Sequence, residues 1–459
     1  MVAPDSSSNE YDIHKELKDQ GVEVLVLDHH NADKVSEYAC VVNNQLCDYP
    51  NKALSGVGIV YKLCERFDEL MGTEYASQLV DLVMLGLVGD MMDLRSYETK
   101  YLVNQGIAHL RNPFIKGMAD HNAYSIGKQL TPIGVAFYIV PLVNAVTRVG
   151  SQEEKELLFR SMLNWEAFNL VPSTKRGCKG QTETIVEQAV RTCTNVKNRQ
   201  TRTQDTAVEG LEELIETGNL LDHKILMFLL DDSFSIPAEI RGLIANKFMA
   251  KYQRPVLMLS VTEHEGKPAF MGSARGYEKS TLTDFRSFCR DSGLVFQAEG
   301  HANAFGFGIY IENVDAFLTW SDEALKDVEF SPSYKVDFIY SASNINPQNI
   351  MDIGSMKGLW GQNINEALVA IESVKVTKNM VTLMAKGKPS QALKIELPNG
   401  IACIKFRVSE EEYETLLSDT GCVVLNIVGK CEVNEYYGSV TPQIIIEDYE
   451  IVDRMNYYF

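Results

Sequence analysis

The chain has 459 residues, 45% hydrophobic and 23% charged, with a formal net charge of −19. That length and balance describe a soluble globular chain of about three domains. They exclude a disordered tail protein, and the acid excess excludes general adhesion to nucleic acid, so any such contact must fall on local basic patches. The first residues lack the charged, apolar and small-residue succession of a secretory leader, and no apolar run approaches the ~20 residues that span a bilayer. The cysteines (Cys40, Cys47, Cys64, Cys178, Cys193, Cys289, Cys403, Cys422 and Cys431) are odd in number and form no C-x-x-C pair. They predict reduced thiols in a cytoplasmic protein without a structural zinc site.

Asp5 follows Met1-Val2-Ala3-Pro4 and precedes a helix-like stretch at 10–20. Taken alone it reads most simply as an N-cap. Residues 22–27 form a short apolar strand that ends in Asp28-His29-His30. Open α/β sheets bind ligands beyond the carboxyl ends of their strands, and carboxylate oxygen with imidazole nitrogen suits Mn, Zn or Mg. The plain alternative is a polar turn with one His capping the next helix. Residues 52–71 and 99–111 are helical in pattern. The run 82–89 is apolar and small, reads as a second buried strand-like element, and ends in Asp90-Met91-Met92-Asp93. A carboxylate there is costly unless paired or metal-bound. Together Asp5, His29 and Asp90 would place ligands on neighbouring strand ends. The alternation predicts a parallel, doubly wound α/β sheet over residues 1–170.

Residues 180–216 are polar and free of proline, which predicts one long bridging helix within 171–216. A second α/β domain is expected over 217–330, with a strand at 224–230, a helix at 236–252 and a buried strand at 255–261. Beyond it, six short runs (370–376, 380–385, 392–396, 401–406, 422–433 and 443–452) separated by Gly, Pro and Asn turns predict a small OB-like barrel over 331–459. Two stretches are locally basic. Lys175, Arg176, Lys179, Arg191, Lys197, Arg199 and Arg202 face only Glu183 and Glu187, and residues 335–407 carry nine basic against five acidic side chains.

Several motifs now bear on family. Ser55-Gly56-Val57-Gly58 is a Gly-Val-Gly element. Gly86 to Leu94 is similar to Gly-x-x-Ala-Asp-x-x-x-Leu, with Gly89 for Ala. Pro141 to Arg148 is similar to Pro-Arg-x-Asn-Ala-x-Gly-Arg, with Leu142 and Thr147 departing. Gly272-Ser273-Ala274-Arg275 and Gly300-His301-Ala302-Asn303-Ala304-Phe305-Gly306 follow, with Glu299 and Phe305 departing from Gly-Gly-His-x-x-Ala-Ala-Gly. Gly361-Gln362-Asn363 and Val433-Asn434-Glu435-Tyr436-Tyr437-Gly438 close the series. With Asp28-His29-His30, and in this order, they resemble the DHH phosphoesterases, and among them the RecJ-type single-strand-DNA exonucleases.

The resemblance implies a DHH domain over 1–170, a DHHA1 domain over 217–330 and an OB-like nucleic-acid-binding domain over 331–459. It implies a metal-dependent exonuclease of DNA repair and recombination, acting 5′→3′ on single-stranded DNA. Mn²⁺ or Mg²⁺, as two ions, would be held by Asp5, His29 and Asp90. Asp28 and His30 would be catalytic, the first orienting the site and the second facing the scissile phosphate; Asp93 would be solvated or capping. Asn144, Arg148, Ser273, Arg275, Gly300 and His301 would bind substrate; Trp360, Tyr436 and Tyr437 could stack bases, with core packing the plainer reading of each one. The family's Asp-x-Asp element, expected ahead of the Asp5 position, is not matched by the four residues before Asp5. Three expectations stand for this element: the protein begins further upstream, another polypeptide supplies it, or the chain is a degenerate relative. The implied partners are single-stranded DNA and either a separate N-terminal polypeptide or replication or repair proteins. Two other readings stand beside this one: a catalytically inactive DNA-binding scaffold, and a DHH phosphodiesterase of short oligonucleotides.

Overall fold

A computed structural model describes the chain except residues 33, 232–235, 331, 389–390, 418–420, 437 and 456–459; at 417, 436 and 455 it describes the backbone alone. Strand β1 (Val2–Pro4) leads through helix α1 (Tyr11–Asp19) to β2 (Leu25–Asp28) and then β3 (Cys40–Asn43). The three pair in parallel in the order β1-β2-β3, over a small core of Ala3, Val24 and Val26. Parallel strands bring their carboxyl ends to one edge. Asp5, Asp28 and Asn43 lie at that edge because each follows or closes a strand.

Helices α2 (Gly56–Met71), α3 (Val80–Gly89), α4 (Tyr97–Ala108), α5 (Pro113–His121), α6 (Ala123–Ile126) and α7 (Pro132–Tyr138) complete residues 1–140. The run 82–89, expected as a buried strand-like element, is therefore helical. Val80, Val83, Met84, Leu85, Leu87 and Val88 are buried on all sides of α3, so its apolar residues are consecutive and show no amphipathic period. The ligand candidate Asp90 stands at the C-cap of that helix, with its N–H donated to the Gly86 carbonyl at 2.9 Å, and not at a strand end.

Next come α8 (Val140–Val149), α9 (Gln152–Met162), the hairpin β4 (Leu170–Pro172) and β5 (Thr182–Thr184), and α10 (Ile185–Thr217). The bridging helix is thus 33 residues long and begins later than expected, because the segment before it folds as the hairpin. It opens with a capping box between Thr184 and Glu187. Residues 132–149 are apolar enough, by length and composition, to cross a membrane. They fold as α7 and α8, with Val135, Ile139, Ala145 and Val146 buried.

A five-stranded sheet follows, ordered β6-β7-β8-β10-β9. Its elements are β6 (Leu226–Leu230), α11 (Ala238–Tyr252), β7 (Val256–His264), β8 (Lys267–Arg275), α12 (Phe285–Asp291), β9 (Val295–His301), β10 (Ala304–Tyr310) and α13 (Val314–Ala324). Alternate residues of β6 and β7 feed two cores: Met227, Leu257 and Leu259 join Phe285 and Phe317, while Leu226, Phe228 and Met258 join Ile240 and Phe248. This is the period-two pattern of a sheet covered on both faces.

The tail contains β11 (Phe338–Ser341), α14 (Pro347–Gly354), β12 (Leu368–Thr377), β13 (Val381–Met384), β14 (Ala392–Glu396), β15 (Ala402–Phe406), α15 (Glu410–Leu417), β16 (Cys422–Tyr436) and β17 (Ser439–Met455). Seven strands form one sheet in the order β11-β12-β16-β17-β15-β14-β13. β11 has no counterpart among the six expected runs. By compactness, residues 1–140 group with 335–459, and 141–334 form a second unit. Helices α8 and α9, expected with the first domain, lie in the second unit. Within the first unit the β-rich tail is docked by main chain: the Leu94 N–H donates to the Gln362 carbonyl at 3.1 Å, and Lys128 pairs with Glu435.

Candidate active site

At the carboxyl edge of β1-β2-β3 the chain turns out of β1 through Asp5, whose φ is +61°. A non-glycine residue in the left-handed region costs of order 1 kcal/mol, and such strain gathers at functional sites. The turn is held by the Asp5 N–H, which donates to the Leu27 carbonyl at 2.7 Å. It brings Asp5 Oδ1 to 3.2 Å from His29 Nε2, and Asp90 Oδ2 lies 3.2 Å from the same nitrogen. A neutral imidazole carries at most one proton at Nε2, so it cannot donate to both carboxylates at once. Two hard oxygens and one borderline nitrogen converging on one point form a donor set that fits a divalent cation. Among the described residues, ligand atoms of Asp5, His29 and His30 also lie within 4.8 Å of one another.

Asp28 is 1% exposed and accepts every contact offered to it. Its Oδ1 takes the His29 N–H at 2.8 Å and the His30 ring Nδ1 at 2.7 Å, and its Oδ2 takes the Ser8 N–H at 3.1 Å. Burial pushes its carboxyl upward, but hydrogen bonds from His30, Ser8 and the backbone outweigh it and leave it lowered to about 2. Asp28, expected to orient the site, thus touches the His30 ring and the backbone of Ser8 and His29. The same bond raises the His30 imidazole above its ordinary value. An ionised acceptor on Nδ1 leaves Nε2 as the free nitrogen of His30, whose side chain is 61% exposed.

Sequence reasoning passed over Asn43. It closes β3 and donates Nδ2–H to the His30 carbonyl and to Ser8 Oγ, both at 2.9 Å, so it ties the histidine pair to the loop after β1. The available signal was a polar residue ending a third apolar strand. Asp93 lies outside the cluster; Arg95 beside it holds its carboxyl down to about 2.

The other candidates belong to the second unit. Asn144 and Arg148 lie on α8. Arg275 on β8 and His301 on β9 are both register partners of Ala304 on β10, and Ser273 and Glu299 flank Gly306 in the same way. Directly opposed residues project to one face, so Ala304 and Gly306 make a shallow floor between the two rows. Gly300 has φ +135°, and a Cβ there would lie 2.9 Å from the Ala304 carbonyl oxygen, so the sharp approach to His301 requires glycine. Arg275 packs over Gly242 of α11: a Cβ at 242 would stand 2.2 Å from Arg275 Nη2. Burial, and then the Arg148 guanidinium, lower the Arg275 pKa, and neither arginine has a carboxylate partner among the described residues. A guanidinium buried at this sheet without an acid suits an anion such as a phosphate. In the tail, Trp360 is half-buried, and the side chains of Tyr436 and Tyr437 lie outside the described residues.

Asp5 and His29 at a parallel sheet edge, met by Asp90 from the end of α3, form the site of a metal-dependent hydrolase of the DHH class. Residues 1–87 match the DHH family N-terminal domain, and residues 336–448 match the RecJ OB domain. The chain is 34% identical over 457 residues to the prophage-derived YorK of Bacillus subtilis, named as a candidate single-strand DNA-specific exonuclease, covering 98% of this chain and 78% of that protein. It is 24% identical to the single-stranded-DNA-specific exonuclease RecJ of the same organism, covering 95% of this chain and 52% of RecJ. The fold matches that of RecJ from Thermus thermophilus in complex with Mn²⁺, with a TM-score of 0.72 at 17% identity, over 99% of this chain and 62% of that one. The chain belongs to the RecJ-type family of single-strand-DNA-specific exonucleases.

Proposed function

We propose that this chain hydrolyses single-stranded DNA from the 5′ end, with a divalent cation held by Asp5, His29 and Asp90. The convergence of Asp5 Oδ1 and Asp90 Oδ2 on His29 Nε2 carries this reading. The Thermus relative has been solved with Mn²⁺ and with Mg²⁺, which supports either ion here. When bound, such an ion supplies charge neutralisation on the phosphodiester and lowers the pKa of water.

The chain's own residues do the remaining work. Asp28 fixes the His30 ring and its proton on Nδ1, so that Nε2 is kept for the scissile phosphate. Ser8 holds the Asp28 carboxylate and Asn43 the His30 carbonyl, which supports the orientation of the pair. Arg148 and Arg275 take a phosphate of the strand, with Ser273, Asn144, Gly300 and His301 completing its seat. Because base edges have no dedicated partner in this set, selection rests on backbone and strand flexibility.

The experiment is digestion of single-stranded DNA labelled at the 5′ or the 3′ end, with Mn²⁺, by the wild type and by His29→Ala and Asp90→Ala. Labelled mononucleotide should appear first from the 5′-labelled substrate, and both variants should fold and fail to cleave. Cleavage retained by His29→Ala overturns the metal assignment; first release from the 3′ label overturns the polarity.

A further inference from the structure

We propose that the hairpin β4–β5, together with the aromatic side chains at its base, is an accessory grip for single-stranded DNA, distinct from the residues assigned above and resting on the functional reading just given. Its loop, residues 173–181, is a built turn. The Cys178 N–H donates to the Lys175 carbonyl at 3.1 Å, the Gln181 N–H to the Cys178 carbonyl at 3.0 Å, and the Ser173 N–H to the Gln181 carbonyl at 2.9 Å. Gly177 and Gly180 supply φ of +84° and +86°, which side-chain-bearing residues rarely adopt.

The turn is braced against α10. Thr174 Oγ1 accepts Arg191 Nη2 at 2.9 Å and Gln188 Nε2 at 3.3 Å, while Glu183 Oε1 accepts the Thr174 N–H at 3.1 Å. Glu183 and Arg191 are paired with each other, and Arg199 pairs with Glu154. Those arginines are thereby neutralised. Lys175, Arg176 and Lys179 are different: all three are exposed, and none has a carboxylate partner among the described residues. In a chain of net charge −19, three unanswered cations on one rigid turn form a local anion-seeking site.

The base of the hairpin adds stacking surface. Trp165, Phe168 and Leu170 are 76%, 66% and 68% exposed. They are fixed to the start of α10, since Val186 N–H donates to the Ala167 carbonyl at 3.0 Å and Ile185 N–H to the Asn169 carbonyl at 3.1 Å. The three residues of β4 separate this apolar end from the basic tip by about 10 Å of extended chain. Cations for phosphates beside aromatic faces for bases are the two components of sequence-tolerant single-strand binding. A rigid turn presents them with little ordering cost. An acidic, apolar peptide is the competing occupant, and the test below separates the two.

Trp165 is one of three tryptophans, so its share of the fluorescence change is the difference between the wild type and Trp165→Phe. The intact protein is titrated with oligo-dT of about 20 nucleotides, a span beyond a single binding module, in EDTA to prevent cleavage. Quenching is expected to be larger in the wild type than in Trp165→Phe. The triple variant Lys175→Ala, Arg176→Ala, Lys179→Ala should bind about tenfold more weakly at low salt, with a salt slope shallower by about 2, the value for three phosphates on a single strand. Its melting temperature, and its kcat for cleavage with Mn²⁺ at saturating DNA, should match the wild type. An unchanged slope and affinity in the triple variant, or equal quenching in Trp165→Phe, overturns the grip while leaving the exonuclease reading intact. A wild type that neither binds nor cleaves DNA overturns that reading, and the grip with it. Quenching of Trp165 by a polyglutamate-containing apolar peptide but not by DNA assigns the surface to a protein partner and overturns the proposal.

Discussion

The Asp5 carboxylate lies over the Cα of Gly56: a Cβ at residue 56 would stand 2.3 Å from Asp5 Oδ1 and 2.6 Å from its Cγ. Gly56 is the first residue of α2, so the carboxylate rests against the positive end of that helix. The Gly-Val-Gly element thus leaves room for a ligand held in a strained backbone turn.

Replacing Gly56 by Ala should displace Asp5 while sparing the helix, because alanine is a good helix former. The expected loss is about 10–100-fold in kcat/KM and in Mn²⁺ affinity, as for other supports of a metal ligand. Isothermal titration with Mn²⁺ beside steady-state cleavage checks it; wild-type affinity in the variant would show that Asp5 does not need this seat.

Asp28 and His30 should separate stability from activity. Asp28→Ala leaves the N–H groups of Ser8 and His29 and the His30 ring without their acceptor in a buried place, at a cost of about 3 kcal/mol. His30→Ala removes an exposed ring and should leave the urea midpoint close to wild type while abolishing cleavage. Equal destabilisation by both substitutions would contradict the positioning role given to Asp28.

The Glu183–Arg191 pair predicts an acid-dependent stability. Arg191 beside Glu183 holds its carboxyl down to about 2, against an ordinary value of 4.5. A group depressed on folding stabilises the fold above its unfolded pKa and loses that contribution as pH falls toward the folded value. Glu183→Gln should therefore be less stable than wild type at neutral pH, with the gap closing between about pH 5 and pH 2. Urea midpoints across that range measure it, and a gap that widens on acidification would refute the pairing.

Thiol reactivity should follow burial. Burial pushes Cys193, Cys403 and Cys431 up to about 12 and holds Cys289 well above its ordinary value, while Cys40 and Cys47 are exposed. A thiol reagent at neutral pH should modify Cys40 and Cys47 first, and Cys193, Cys289, Cys403, Cys422 and Cys431 only on unfolding. Mass spectrometry of the labelled peptides gives the order; early labelling of Cys289 would mean that its core opens.

Much of this protein is written locally. A Val/Leu strand running into Asp28-His29-His30 marks the ligand edge, polar residues without proline mark the long helix, and alternation with Gly and Asn turns marks the β-rich tail. Each is a short-range period that any few consecutive residues display. Three-dimensional packing supplied the rest. A run buried on every side has no period, so nothing local distinguishes helix α3 from a strand, and Asp90 could be assigned to a helix end only once that run was packed. Asp5, Asn43, Gly56 and Asp90 are far apart along the chain, and they meet because parallel strands and packed helices deliver their ends to one edge. The shared register of Arg275 and His301 on Ala304 likewise comes from strand order, which no single segment encodes. Local pattern depends on neighbours in sequence, whereas a site depends on distances closed by burial of the whole core.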